Sequence, residues 1–149
     1  MDSQSYATSF TVNQSPDEVY AAIADVARWW TGKVVGLGSR VGDEFTYVYP
    51  DLHYSRQRVT NLVPGERVVW RVVDSKLAFV GDPSEWTGTD ISFDIAEQGG
   101  QTIVRFAHEG LVPRFECYDN CSNAWSFFIN GSLRRLITTG EGPTPPPWA

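Results

Sequence analysis

Few side chains in this sequence could do chemistry. Histidine occurs twice, as His53 and His108, and cysteine twice, as Cys117 and Cys121. An imidazole with an ordinary pKa of about 6.5 exchanges protons at neutral pH, so general acid–base work is the most credible catalytic option. His108 is its candidate, with Tyr47, Tyr49 and His53 as neighbours if one face gathers them. The competing reading of His108 is a strand-end histidine hydrogen-bonded to a neighbour. Cys117 falls near the start of a helix, which lowers a thiol pKa. Glu116 and Asp119 oppose that by repelling a thiolate. The four-residue spacing of the cysteines falls within the loose zinc range. Structural zinc pairs sit on turns, however, where both sulfurs converge, so neither a metal nor any other cofactor is expected. The i,i+4 spacing also places the two Cβ atoms too far apart for a disulfide. No G-x-S-x-G elbow is present. Gly36-Leu37-Gly38 followed by Gly42 lacks both the Walker Lys-Ser/Thr pair and the dinucleotide-binding spacing. It reads as a mobile loop before a strand, of the kind that can gate a cavity.

These groups must be positioned by strands and helices whose periodicity is visible. Residues 6–12 alternate and predict a strand. Ser15-Pro16-Asp17-Glu18 is a helix start with a cap, a proline at the first helical position and a capping box. Val19, Tyr20, Ile23 and Val26 give the stripe of a short helical region ending near Arg28-Trp29-Trp30. Residues 32–38 then read as a flexible connection. The period switches to two over residues 43–49, 54–62, 67–73, 85–96 and 101–108. Turns are expected at Pro50-Asp51, Pro64-Gly65 and Gln98-Gly99-Gly100. Residues 77–80 could add a short strand. Gly88 within the strand expected over 85–96 suggests a bulge or a close backbone approach. Residues 115–139 carry Cys121, Trp125, Phe128, Ile129, Ser132, Leu133 and Leu136 at helical spacing, and Gly140 suits the C′ position.

The chain has 149 residues, enough for one domain with a substantial core, placed at 1–142 with a Pro-rich extended tail at 143–149. An antiparallel sheet with one apolar face and a long helix with one apolar stripe bury most surface if the sheet curls around the helix, an α+β arrangement that can leave a cavity. The sequence carries 6 Trp, 6 Tyr and 8 Phe, and aromatic side chains both fill cores and line pockets. The net charge of −6, without any Lys/Arg run, argues against nucleic acid. No apolar stretch approaches a membrane span, and residues 1–9 read as no secretory signal, so a cytoplasmic protein with free thiols is expected.

Arg28-Trp29-Trp30, Glu85-Trp86-Thr87-Gly88-Thr89, His108-Glu109-Gly110-Leu111 and the helix bearing Trp125 and Ser132-Leu133 resemble the bacterial single-domain relatives of the activator of Hsp90 ATPase. These belong to the START-like, helix-grip superfamily of polyketide cyclases, pathogenesis-related proteins and lipid-transfer domains. The order and spacing of these segments carry the resemblance, which covers about residues 5–142. It implies a helix-grip fold, with two short helices after the first strand and a cavity for a hydrophobic ligand. Trp30, Phe45, Tyr47, Tyr49, Trp70 and Phe93 are the cavity candidates from the first two thirds of the chain. Phe106, His108, Trp125 and Phe128 are those from the remainder. Three functions compete: a carrier or sensor of a small hydrophobic molecule such as a lipid, a cyclase- or hydratase-like enzyme, and a co-chaperone or other interaction module. An unpaired edge strand could also pair two copies as a homodimer.

Overall fold

The computed structural model describes residues 5–30, 32–36, 38–49, 53–78, 80–81 and 83–141. The expected turn at Pro50-Asp51, residues Leu37, Phe79 and Asp82, and the Pro-rich tail lie outside them. The chain runs β1 (Tyr6–Val12), α1 (Pro16–Ala24), a 3₁₀ turn (Val26–Arg28), β2 (Lys33–Gly36), β3 (Glu44–Tyr49) and β4 (His53–Val63). It continues through β5 (Arg67–Leu77), β6 (Asp90–Gln98), β7 (Gln101–Glu109), α2 (Tyr118–Ser126), a π-helical segment (Phe127–Leu133) and α3 (Arg134–Thr139). The strands form one curved antiparallel sheet in the order β1-β7-β6-β5-β4-β3-β2.

The alternation of each strand becomes the two faces of this sheet. Phe45 and Tyr47 on β3, Val68, Trp70 and Val72 on β5, and Val104, Phe106 and His108 on β7 are all buried inward. The opposite face carries cross-strand ion pairs at the register positions Glu44 with Arg58, Arg67 with Asp94, and Arg71 with Asp90. Such exposed pairs contribute at most about 1 kcal/mol each, so the inward face holds the sheet. Register shifts between β4 and β5 at Arg56/Gln57 and Val59/Asn61 bend the sheet where it must curl.

At the capping box, the Glu18 backbone N–H donates to Ser15 Oγ at 3.2 Å and the Ser15 N–H donates to Glu18 Oε1 at 3.0 Å. Replacing Ser15 with alanine should cost about 1 kcal/mol in urea unfolding. No measurable loss would show that water caps this helix as well as Ser15 does.

Four elements differ from the sequence expectation. Residues 33–36 are not a flexible connection but a short edge strand, pairing Lys33 with Val48 and Val34 with Tyr47. β5 extends beyond residue 73 to Leu77, because Asp74, Ser75 and Lys76 find partners on β4, so Leu77 ends that strand instead of opening a new one. β6 starts at Asp90, and residues 85–88 form a turn. The long helix starts at Tyr118 rather than near residue 115, and a π-helical segment interrupts it. Backbone angles stay right-handed helical at both junctions, so α2, the π segment and α3 run on as one helix. It ends at Gly140 in the left-handed conformation. The π segment lets the adjacent pairs Phe128-Ile129 and Ser132-Leu133 all be buried.

Candidate functional site

Where α2 passes over the ends of β3 and β4 the sheet and helix leave a cavity of about 420 Å³. Its walls are aromatic. Trp30, which follows the 3₁₀ turn, stacks on Tyr47 of β3 with centroids 4.1 Å apart and planes 12° from parallel. Trp86 stacks on Trp125 of α2 at 5.7 Å and 11°. Trp30 and Trp125 meet at 5.0 Å and 39°, closing the corner between the two stacks. Tyr49 and Phe128 extend the apolar lining, and Asn120, Cys121, Asn123 and Ala124 supply the helix side. Asn120 and Asn123 are exposed and mark the mouth.

His53 completes the wall, edge-on to Trp86 at 4.6 Å and to Tyr47 at 5.1 Å. It begins an inward polar row on β4 with Ser55 and Gln57. Gln57 Nε2 donates to Ser55 Oγ at 2.5 Å, and Ser55 Oγ lies 2.8 Å from His53 Nε2. Ser55 Oγ keeps both a proton and a second lone pair, so it can serve either tautomer of His53. Burial lowers the His53 pKa, burial and then the neighbouring Tyr49 raise that of Tyr47, and the Cys117 hydrogen bond followed by burial raises that of Cys121. All three therefore stay neutral near neutral pH.

Behind this wall His108 is fully buried. The Trp125 indole donates to His108 Nδ1 at 3.0 Å. His108 Nε2 lies 2.7 Å from Thr89 Oγ1, and Thr89 Oγ1 donates its only proton to the Trp86 carbonyl at 2.6 Å. His108 Nε2 must therefore be the donor to Thr89, and one neutral tautomer satisfies the whole chain. Burial, then the neighbouring His53, push the His108 pKa down to about 3. A second ring proton would also point at the Trp125 N–H. Gly110, at φ +103°, makes room for Thr89, since a Cβ there would lie 2.7 Å from Thr89 Cγ2.

The sequence matches the family described as activator of Hsp90 ATPase homolog 1-like protein over residues 13–137. The chain belongs to that family. The Hsp90-activator-like chain is similar to the solution structure of the Aha1 dimer from Colwellia psychrerythraea, at 25% identity and a TM-score of 0.75, covering 93% of this chain and 99% of that one. Its fold is also that of DynU16, a protein in the dynemicin biosynthetic locus, at 19% identity and a TM-score of 0.68. That match covers 91% of this chain but spans only 48% of DynU16. CalU16 from Micromonospora echinospora shares the fold at 17% identity and a TM-score of 0.63, covering 90% of this chain and 76% of that one. No curated protein matches the sequence.

Within this Hsp90-activator-like fold, five of the expected cavity residues, Trp30, Tyr47, Tyr49, Trp125 and Phe128, line the cavity. Phe45, Trp70, Phe93 and Phe106 do not line it but pack beneath, with Trp70 edge-on to Phe45 at 4.9 Å and Phe93 to Phe106 at 5.1 Å. His108 does not line it either. Both its nitrogens are engaged, one by the Trp125 N–H and the other by Thr89, so it ties Trp125 to the Trp86 turn.

Every residue of Glu85-Trp86-Thr87-Gly88-Thr89 has a task that periodicity concealed. Glu85 accepts the backbone N–H groups of Glu116 at 3.0 Å and Cys117 at 3.2 Å, holding the helix start as an N-terminal carboxylate does. Trp86 forms cavity wall, Thr87 lies 2.8 Å from Ser75 Oγ, and Thr89 joins the His108 chain. Gly88 is the close backbone approach and not a bulge: at φ +90° its N–H reaches the Val72 carbonyl of β5 at 2.8 Å. Cys117 and Cys121 are both buried free thiols, and the hydrogen bond from Cys117 followed by burial favours the protonated form of Cys121. Among the described residues no His, Cys, Asp and Glu side chains converge as a metal site. No helix among them is long and apolar enough to cross a membrane.

Trp86, Asn120, Cys121, Asn123 and Ala124 lie outside the expected cavity set, and His53, expected beside Tyr47 only if one face gathers them, joins it. The signal for His53 lay in its phase, shared with Ser55 and Gln57 on the inward face of β4. The helix residues flank the apolar stripe of Cys121 and Trp125.

Proposed function

We propose that this protein takes up one small hydrophobic or aromatic molecule as a non-catalytic carrier or sensor in the cytoplasm. The observation that carries this reading is the 420 Å³ cavity walled by Trp30, Tyr47, Trp86 and Trp125. A cavity of this volume fits the range of small-molecule sites, which combine apolar walls with a few placed polar groups. His53, Asn120 and Asn123 are those groups here. The outer surface supports the cavity as the working site. Among the described residues the exposed large hydrophobic side chains are Val35, Val41 and Val63, each a single valine on a different segment. The dimeric Colwellia relative supports a homodimer for this chain as well.

Native mass spectrometry of gently purified protein, followed by extraction, tests the proposal. A stoichiometric apolar compound is expected. Ala124→Phe supplies the control, because Ala124 is half-buried on the cavity wall and a phenyl ring there fills the space. The variant should keep its fold and lose about tenfold or more of its ligand occupancy. Undiminished occupancy in Ala124→Phe would place the ligand elsewhere and overturn the assignment.

A further inference from the structure

We propose that β2 is the surface through which two copies of this chain join, its outer edge pairing antiparallel with the partner's β2 about a two-fold axis at Val35. This rests on the homodimer reading above and deepens it to one strand and one register.

The sheet has two edges, and they differ. β1 has its exposed positions at Ala7, Ser9 and Thr11, none of them a large apolar group. The long helix also holds that strand, through Ser126 on the Tyr6 hydroxyl and Asn130 on Thr8 Oγ1. β2 has β3 on one side and, among the described residues, no strand on the other. The outer side of an edge strand presents N–H and C=O groups that template another strand, and charges, prolines or bulges normally blunt it. Lys33-Val34-Val35-Gly36 carries one charge, at its end, and no proline, and its pairing to β3 runs without a register shift. Val35 is 55% exposed on it. A second copy suits this edge because antiparallel pairing of a strand with itself is isologous. Such a contact closes at two copies and leaves no β2 edge for a third.

The two faces of the strand fix the register. Val34 lies opposite Tyr47, on the inward face of the sheet, and Val35 lies opposite Thr46, on the outer face. Directly opposed residues of an antiparallel pair share a face. A two-fold axis must therefore pass through a residue, because an axis between Val34 and Val35 would oppose an inward side chain to an outward one. With the axis at Val35, the two exposed valines meet on the outer face, and Val34 opposes the partner's Gly36 on the inner face. An axis at Val34 would instead set each Val35 against a lysine and lose the β-branched pair. The axis at Val35 also leaves the two Lys33 groups four residues apart along the strands, roughly 13 Å, where salt screens them.

The contact backs the cavity wall. Val34 pairs with Tyr47, and Gly32 lies so close to that ring that a Cβ there would come within 2.6 Å of Tyr47 Cε1. A second neighbour for β2 therefore steadies the strand against which Tyr47 rests. One pair of short strands buries less than the ~1,200 Å² of a standard interface, so the dimer should exchange, with a Kd on the order of micromolar.

Light scattering or sedimentation of the full chain over a concentration series should show a monomer–dimer equilibrium. Val35→Lys opposes two ammonium groups across the axis and should raise the dimer Kd about tenfold or more. Val63→Lys, at the end of β4, should leave it unchanged. Circular dichroism should show both variants folded. Val35→Cys reads the register. Opposed Cα atoms about 4.5–5.5 Å apart lie within disulfide range, and the native Cys117 and Cys121 are buried. Under mild oxidation Val35→Cys should cross-link about tenfold faster than Val41→Cys, whose site is 61% exposed and reports random collision. A dimer that survives Val35→Lys, or equal cross-linking by the two cysteine variants, would overturn the β2 interface and leave the homodimer standing. A monomer at every concentration would sink the homodimer reading itself.

Discussion

Replacing His108 with alanine should destabilise the protein by about 3–5 kcal/mol in urea unfolding, from a cavity in a fully buried site together with stranded hydrogen-bonding groups. Phenylalanine separates the two contributions. It refills most of the volume but leaves the Trp125 N–H without its acceptor and Thr89 Oγ1 without its donor. About 2–3 kcal/mol of the loss should therefore persist in His108→Phe at neutral pH. Acid then gives a readout that a purely steric role would not move. Folding holds the His108 pKa down at about 3, while the unfolded chain takes up its proton near the ordinary imidazole value of 6.5. The unfolded state thus binds more protons below 6.5, and the stability of the wild type must fall as pH falls. The group's contribution is fully present above that pH and declines by about 1.4 kcal/mol per pH unit toward the folded value. His53, also pushed down, adds loss of the same sign, but its ring is partly exposed at the cavity, which weakens its share. His108→Phe removes the larger part of this slope. Its deficit at neutral pH should shrink to near zero at about pH 4.5. Parallel pH profiles for the two proteins would show that His108 takes up its proton as readily in the fold as in the unfolded chain, and the chain of directed hydrogen bonds would be wrong.

Which side of each strand faces inward was legible because a two-residue period has only two answers. Phe45 and Tyr47, Val68, Trp70 and Val72, and Val104, Phe106 and His108 all fall as their alternation requires. The helical stripe from Cys121 to Leu136 was legible for the same reason at a period of 3.6. Depth beneath the helix was not legible. Phe45 and Tyr47 share a face two residues apart, yet one packs on Trp70 and the other forms cavity wall. That difference depends on where α2 crosses the ends of β3 and β4, a long-range fact no local period encodes. Edge strand β2 escaped notice because four residues ending in glycine have too little pattern to register. The turn at residues 85–88 escaped because Trp86 and Thr89 look like strand residues in isolation, and only their partners on α2 and β7 show otherwise. The π segment had no local cue. It answers the need to bury two adjacent pairs of side chains, a requirement set by the curved sheet beneath it.

Trp30 tests the cavity wall as a mechanical object, and Trp30→Ala should cost about 3–4 kcal/mol. The side chain is 2% exposed, so nearly all of its area is withdrawn from water. It stacks on Tyr47, runs 4° from parallel with Trp70 at 6.3 Å and closes against Trp125. One side already borders empty space, which removes some of the contacts a wholly enclosed tryptophan would lose, so the expected cost stays below the upper end for such truncations. Trp30→Phe should cost about 1–2 kcal/mol, since a smaller ring can keep the Tyr47 contact. Ligand affinity discriminates wall from core. Both Trp30 variants should lower occupancy by the co-purified apolar compound, with alanine the more severe because it removes half of one stack. Phe45→Leu makes the complementary case: Phe45 is buried beneath the cavity, so that change should lower stability while leaving affinity for the co-purified compound nearly unchanged. If Trp30→Ala unfolds too readily for titration, the Phe variant carries the comparison. Equal affinity losses in Trp30→Phe and Phe45→Leu would mean that ligand binding reports only on global stability, and the division between wall and core drawn from the stacking geometry would fail.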